Sequence, residues 1–299
     1  MKHRILPFIV LLGLLTLPCV VSAGGSADKT LKVMSFNIRF DTPLDSGEQA
    51  WSARQKPIRA MLDDARPDVI GMQEPRLNML EATYALLPEY THFKIEARDS
   101  ITDPMTGNIL IFYRTDRFEA VDFGYFWLSA TPEQPSRPWD STDTHYRCAL
   151  WMLLRDRSTG SSFYFCTTHF PYKKAPVDTE VRARCAALIV ERMKEIAGRT
   201  GPVFVTGDMN ASDAPEDPRH ASLDPFFKGM KSARHEAPIS NSRSSFNGFG
   251  RKFKNIRGKN LDHIFYLNAT PLCFETLDSP NYGVKYISDH YPILCHFEL

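Results

Sequence analysis

The chain has 299 residues, with 36 lysines and arginines against 35 aspartates and glutamates, and 43% of it is hydrophobic. That composition can bury a large core and excludes a disordered, collagenous or small disulfide-stapled chain. Length alone leaves one large domain or two ordinary ones open.

Residues 1–23 read as a secretory signal peptide. Lys2, His3 and Arg4 form a positive head, residues 5–21 are apolar but broken by Pro7, Gly13 and Pro18, and Val21-Ser22-Ala23 precede Gly24 as a cleavage site. A retained membrane anchor is the alternative, and two prolines suit it poorly. Cleavage would leave a mature chain of residues 24–299, secreted or periplasmic, with 34 basic against 35 acidic residues. Such neutrality argues against a broad cationic surface for nucleic acid. One basic run, Arg251, Lys252, Lys254, Arg257 and Lys259, reads as a solvated loop, with phosphate contact as the sharper alternative. Once Cys19 has left with the leader, Cys273 and Cys295 could pair if their strands are neighbours, while Cys148, Cys166 and Cys185 read as core filler.

Hydrophobic periodicity predicts a strand over 31–37, a helix over 51–65 with Ile58, Met61, Leu62 and Ala65 on one face, and a buried strand over 68–73. Further strands are expected at 109–113, 120–128, 148–154, 162–168, 203–206, 261–267, 272–276 and 292–297. The strongest helix covers 180–196, where Val181, Cys185, Leu188, Ile189, Met193 and Ile196 share a side. Many strands with helices between them, and no Gly/Ser linker, imply sheets packed on each other and covered by helices.

Polar residues at the ends of those strands carry the functional signal. Asn37, Glu74, His169, Asp208 with Asn210, Asp262 with His263, and Asp289 with His290 each adjoin an apolar run. Any one alone is a common turn, cap or structural hydrogen-bonding residue. Together they suit phosphate-ester hydrolysis, which needs a cation, a base for water and donors for the charge that develops. Oxygen ligands without a cysteine motif favour Mg2+, with Mn2+ possible, over zinc. No G-x-S-x-G elbow or Walker-type loop occurs, which weakens serine-hydrolase and nucleotide-kinase readings.

In order, Met34-Ser35-Phe36-Asn37-Ile38-Arg39, Gln73-Glu74, Thr168-His169-Phe170, Thr206-Gly207-Asp208-Met209-Asn210, Leu261-Asp262-His263-Ile264 and Ser288-Asp289-His290-Tyr291-Pro292 resemble the endonuclease/exonuclease/phosphatase superfamily. Phe126-Trp127-Leu128-Ser129 and Pro138-Trp139-Asp140 look like its bacterial secreted branch. The resemblance implies an α/β fold, a four-layer α/β/β/α sandwich of two mixed sheets packed face to face, forming one catalytic domain. It also implies Glu74 as principal metal ligand with Asn37 and Asp289 close to the ion. Asp208, assisted by Asn210, would orient or deprotonate water. His290, partnered by Asp262, and His169 would contact the phosphate, as would Arg147 and, more weakly, Arg76.

Two departures stand out. Gly107-Asn108 occupies a segment where relatives place a carboxylate partner for the histidine at His169, which weakens an acid role for that ring. Pro171-Tyr172-Lys173-Lys174 replaces the Asp-His of secreted relatives, and its lysines are candidate substrate contacts. The expected activity is metal-dependent hydrolysis of a phosphodiester or phosphomonoester by in-line attack of water. A phosphorylated small molecule or lipid head group is favoured over long duplex DNA. A nonspecific extracellular nuclease is the alternative within the enzyme class, and a catalytically idle phosphate-binding module is the alternative outside it.

Overall fold

A computed structural model describes residues 30–95, 108–241, 243–251, 259–278 and 282–299. The expected leader, with Cys19, and most of the basic run lie outside the described residues. No helix among the described residues is long and apolar enough to cross a membrane.

Two mixed sheets form the centre. The first contains β1 (Thr30–Asn37), β2 (Val69–Gln73), β3 (Tyr90–Phe93), β4 (Ile109–Arg114), β10 (Ile239–Ser240), β12 (Thr270–Thr276) and β13 (Ile293–Glu298), in the order β10-β12-β13-β1-β2-β4-β3. The second contains β5 (Phe118–Trp127), β6 (Cys148–Asp156), β7 (Ser162–His169), β8 (Val203–Asp208), β9 (Lys231–Ser232) and β11 (Asp262–Leu267), in the order β5-β6-β7-β8-β11-β9. Period-2 alternation gives each sheet two apolar faces. Leu31, Val33, Phe163, Phe165, Phe204 and Ile293 meet between the sheets. Met34, Phe36, Ile70 and Met72 pack under α1 (Trp51–Ala65), with α2 (Leu80–Ala85) flanking. Cys166, Val203 and Val205 pack under α3 (Pro176–Ala197), beside α4 (Asp224–Gly229) and α5 (Ala233–Glu236). Three apolar layers between four structural layers give the α/β/β/α sandwich.

The helical stripes fall as the periodicity implies. Ile58, Met61 and Leu62 are buried on α1, and Val181, Cys185, Ile189 and Met193 on α3. The long helix starts four residues before the expected 180, at Pro176, whose fixed φ suits a first turn. The disulfide expectation fails although β12 and β13 are neighbours. Cys273 lies opposite His296 and Cys295 opposite Phe274, so the two sulfurs project from opposite faces, and Cys295 is a buried free thiol. Cys148, Cys166 and Cys185 are buried free thiols, as core filler should be.

Near the site the two sheets come unusually close. A Cβ on Gly71 would stand 2.2 Å from Thr206 Oγ1 and 2.3 Å from Thr167 Oγ1. Only glycine fits there. Beside it the Gln73 amide donates to Thr167 Oγ1 at 3.0 Å and the Thr206 hydroxyl to Thr167 Oγ1 at 3.1 Å. This buried polar seam fixes the spacing of the sheets where their functional ends meet.

Candidate active site

Strand register explains the convergence. β1 and β2 run parallel with Asn37 opposite Gln73, so Asn37 and Glu74 leave at one end. β7 and β8 run parallel with His169 opposite Asp208, and antiparallel β11 begins with Asp262 opposite Asp208. Antiparallel β6 starts beside the end of β7, placing Arg147 there, and β13 starts beside the end of β1, placing Asp289 and His290 there. Residues scattered over the chain therefore share one rim.

Backbone turns aim them. Arg39, Glu74 and Asn210 adopt φ of 59°, 70° and 48° within two residues of the ends of β1, β2 and β8. Such non-glycine conformations cost about 1–3 kcal/mol each and persist because surrounding contacts hold them. The Glu74 carboxylate accepts from Asn37 Nδ2 at 3.1 Å and from the Phe40 amide at 3.0 Å. Arg54, fully buried, donates to the carbonyls of Ile38, Arg39, Gln49 and Ile287, and the Ser288 hydroxyl donates to the Asn37 carbonyl at 2.7 Å. These bonds tie the Arg39 and Asp289 loops together.

Asp208 sits at the centre. Its carboxylate accepts from Asn37 Nδ2 at 3.0 Å and from the Asn210 amide at 2.9 Å. Nε2 of His169 lies 3.5 Å away and Nε2 of His290 3.6 Å away. Burial, with Asp262 and Glu74 nearby, pushes the Asp208 carboxyl up to about 7 despite the His290 charge. Burial and Glu74 likewise raise Asp289, which lies 3.7 Å from Arg39. Burial opposes the His290 imidazolium, yet Asp262 at 2.7 Å from Nδ1, with Asp208 close by, raises it to about 10. His290 is therefore cationic at neutral pH. His169 is the reverse. Burial and the charges of Arg147 and His290 hold it well below its ordinary value, and its Nε2 accepts from Asn210 Nδ2 at 3.2 Å. It is a neutral ring, in keeping with the missing carboxylate at Asn108.

All ten expected residues gather here, and all but two of them line one cavity of about 440 Å³. Asn37 lies behind Glu74 and Asp208, and Asp262 lies behind His290. Arg147 is held by the buried Asp143 at 2.7 Å, and Arg76 stacks on the Phe40 ring at 3.7 Å. Of the two lysines, Lys174 lines the cavity, whereas Lys173 lies over the Tyr172 ring. Arg39, Arg219, Arg251, Phe246 and His145 also line it and were not singled out as site residues from sequence. Arg251 pairs with Asp45, so the described start of the basic run is a buttress of this site. Arg39 belongs to the motif at residues 34–39, whereas Asp143, His145 and Arg147 lie in an irregular segment with no periodicity to mark them and are joined by the contacts of Asp143.

The site has the chemistry to hold a divalent cation. Ligand atoms of Glu74, His169 and Asp208 lie within 4.8 Å of one another, whereas His290, protonated and bonded to Asp262, has no lone pair to offer an ion. Carboxylates raised by burial and mutual repulsion gain from a positive ion, and Asp262 Oδ1 is buried with no hydrogen-bond partner. A hard ion suits this donor set. Asn37 presents Nδ2 to both carboxylates while its Oδ1 accepts from the Arg39 amide, so ligation through that oxygen requires the side-chain amide to turn over.

Acidic, imidazole and guanidinium groups converging in a cavity at the rim of such a sandwich define a class, the phosphoester hydrolases. Residues 34–290 match the model of the Endonuclease/Exonuclease/phosphatase family, and the chain belongs to that family. The endonuclease/exonuclease/phosphatase from Bacteroides vulgatus is 30% identical with a TM-score of 0.77, covering 90% of this chain and 99% of its own. The mannosyl-6-phosphatase of Bacteroides thetaiotaomicron is 27% identical with a TM-score of 0.76, covering 90% of this chain and 100% of its own. The D. rerio TDP2 solved with a single-strand DNA product shares the fold at 18% identity and a TM-score of 0.69, covering 91% of this chain and 100% of its own. No curated protein sequence matches the chain.

Proposed function

We propose that the protein is a secreted or periplasmic hydrolase that uses a divalent cation, Mg2+ or Mn2+, to cleave the phosphate ester of a compact molecule, a sugar phosphate or a phosphorylated lipid head group. The observation that carries this reading is the placement of the buried Asp208 between two imidazoles, His290 held cationic and His169 held neutral, in a cavity of about 440 Å³. The cavity is lined by Arg39, Arg76, Arg147, Lys174, Arg219 and Arg251 with the carboxylates of Glu74, Asp208 and Asp289; Asp45, Asp143 and Asp217 pair with four of these arginines and hold them at the wall, which suits an anionic substrate. Its size suits a small head group better than a duplex. The likeness to a mannosyl-6-phosphatase at 27% identity supports a sugar phosphate.

In this reading Glu74 would hold the cation, with Asn37 and Asp289 alongside, and the ion would supply positive charge to neutralise phosphoryl oxygens. Asp208 accepts the proton of the attacking water, and the Asn210 amide fixes the carboxylate that does so. His290 donates from Nε2 to a phosphoryl oxygen, its ring fixed by Asp262. Arg147 presents a fork to the phosphate, aimed by Asp143.

A panel of mannose 6-phosphate, phosphatidylinositol, sphingomyelin and plasmid DNA, with Mg2+ and with chelator, tests the reading. Metal-stimulated turnover of a small phosphoester, abolished in a folded Asp208→Ala variant, is the expected result. Full activity in Asp208→Ala removes the base assignment, and turnover confined to DNA with a steep salt dependence removes the compact substrate. Binding of phosphoesters with no turnover points to an idle module.

A further inference from the structure

The cavity contains a second imidazole and carboxylate pair that the chemistry above leaves unused. Asp143 lies in the loop between β5 and β6, and its side chain is fully buried. It accepts from Nδ1 of His145, from Nη2 of Arg147 at 2.7 Å and from the Tyr172 amide at 3.3 Å. The His145 amide also donates to Asp143 Oδ1 at 3.1 Å, so backbone and ring of His145 are held by one carboxylate. The ring nevertheless reaches the cavity wall with 24% of its side chain exposed. With Nδ1 committed to Asp143, Nε2 is the polar ring atom left for a ligand.

This copies the arrangement of His290, whose Nδ1 is held by Asp262 and whose Nε2 faces Asp208. The two pairs sit in different places. His290 lies in the segment between Asp289 and β13, with Nε2 3.6 Å from Asp208. His145 lies with Arg147 just ahead of β6. In-line displacement needs a water-activating group on one side of phosphorus and a proton for the departing oxygen on the other. His169 offers no proton at Nε2, because that atom accepts from Asn210. His290 Nε2 lies 3.6 Å from the base and is spent on a phosphoryl oxygen, which leaves His145 as the cavity imidazole whose Nε2 is uncommitted.

We propose that His145, oriented by Asp143, is the catalytic acid that protonates the leaving-group oxygen. The proposal rests on the hydrolase reading and adds a residue to it. Water oxygen forms the new bond to phosphorus while its proton passes to Asp208. The bond from phosphorus to the leaving oxygen breaks, its electron pair stays on that oxygen, and the proton on His145 Nε2 completes the alcohol. Neutral His145 then regains a proton from solvent, and Asp208 returns its own.

The test is a leaving-group series of substituted phenyl phosphates, from p-nitrophenyl to p-methoxyphenyl, with Mg2+, comparing wild type with His145→Gln. The p-nitrophenolate leaves readily without a proton, whereas p-methoxyphenolate needs one. The expected loss in kcat is ~10²-fold for p-methoxyphenyl phosphate and at least about tenfold smaller for p-nitrophenyl phosphate. Equal losses across the series would make His145 an anion anchor, and no loss would give it no role; either overturns the proposal. If His145→Gln fails to fold, the wild-type series decides. A shallow dependence of kcat on leaving-group pKa is expected, and a steep one overturns the acid. A wild-type protein idle on every ester with Mg2+ refutes the hydrolase reading and this proposal with it, a result distinct from an active enzyme indifferent to His145→Gln.

Discussion

Replacing Asp262 by Asn keeps the shape beside His290 and removes the charge that does most to hold it protonated. In the wild type the rise of His290 from 6.5 to about 10 corresponds to ~5 kcal/mol in favour of the imidazolium, shared among Asp262, Asp208 and Asp289. A charge-assisted hydrogen bond such as the 2.7 Å contact from Nδ1 to Asp262 is worth ~1.5–3 kcal/mol, so Asp262→Asn should bring His290 down by ~1–2 pH units. Imidazole nitrogen NMR on the metal-free protein between pH 6 and 11 reads this directly. Stability follows with a definite sign. A group with a raised folded pKa contributes fully below its unfolded value and loses that contribution as pH rises through the folded one. Variant and wild type should therefore differ by ~2 kcal/mol in urea unfolding below pH 8, and the difference should close above pH 10. A variant whose His290 still titrates near 10, or a stability gap independent of pH, would refute the assignment of Asp262 as the charge partner.

Three further outcomes follow from the same geometry. Because burial pushes Asp208 up to about 7, Mg2+ binding at pH 6 should release up to about one proton, and at pH 8.5 almost none; calorimetry in two buffers of different ionisation enthalpy measures it. Gly71→Ala would set a methyl group 2.2 Å from Thr206 Oγ1 between the sheets, and should cost ~3 kcal/mol or more of unfolding free energy, read as a lowered urea midpoint, with activity lost in parallel. Arg54→Met orphans the carbonyls of Ile38, Arg39 and Ile287, and should cost ~3 kcal/mol or more while loosening the Arg39 and Asp289 loops, read as a raised KM for phosphoesters. Wild-type stability in either variant would contradict the packing account.

Long periodic segments were readable because burial on one face writes itself into the sequence. α1 matches its expected span, and β4, β7 and β8 lie within one or two residues of theirs. The short strands β3, β9 and β10 and the short helices α2, α4 and α5 left no such mark, since four to six residues, or two, hold too few apolar positions to show a period. At the site, strand-end residues were legible as a collection because register carries them all to one rim. The difference between the two imidazoles was legible only through the resemblance, which implied Asp262 as the partner of His290 and no carboxylate for His169; the structure supplies the contacts, Asp262 for the one and Asn210 for the other. Nor did local spacing reveal that Arg251 closes the same cavity through Asp45, 206 residues away.

The most direct measurement is hydrolysis of bis(p-nitrophenyl) phosphate and p-nitrophenyl phosphate by purified protein stripped with chelator, followed by Mg2+ and Mn2+ titration. The account predicts negligible turnover when stripped, saturable recovery on adding the cation, and no recovery in Glu74→Gln at the concentrations that restore the wild type. Full turnover in the stripped protein, or a Glu74→Gln variant restored as readily as the wild type, would contradict it.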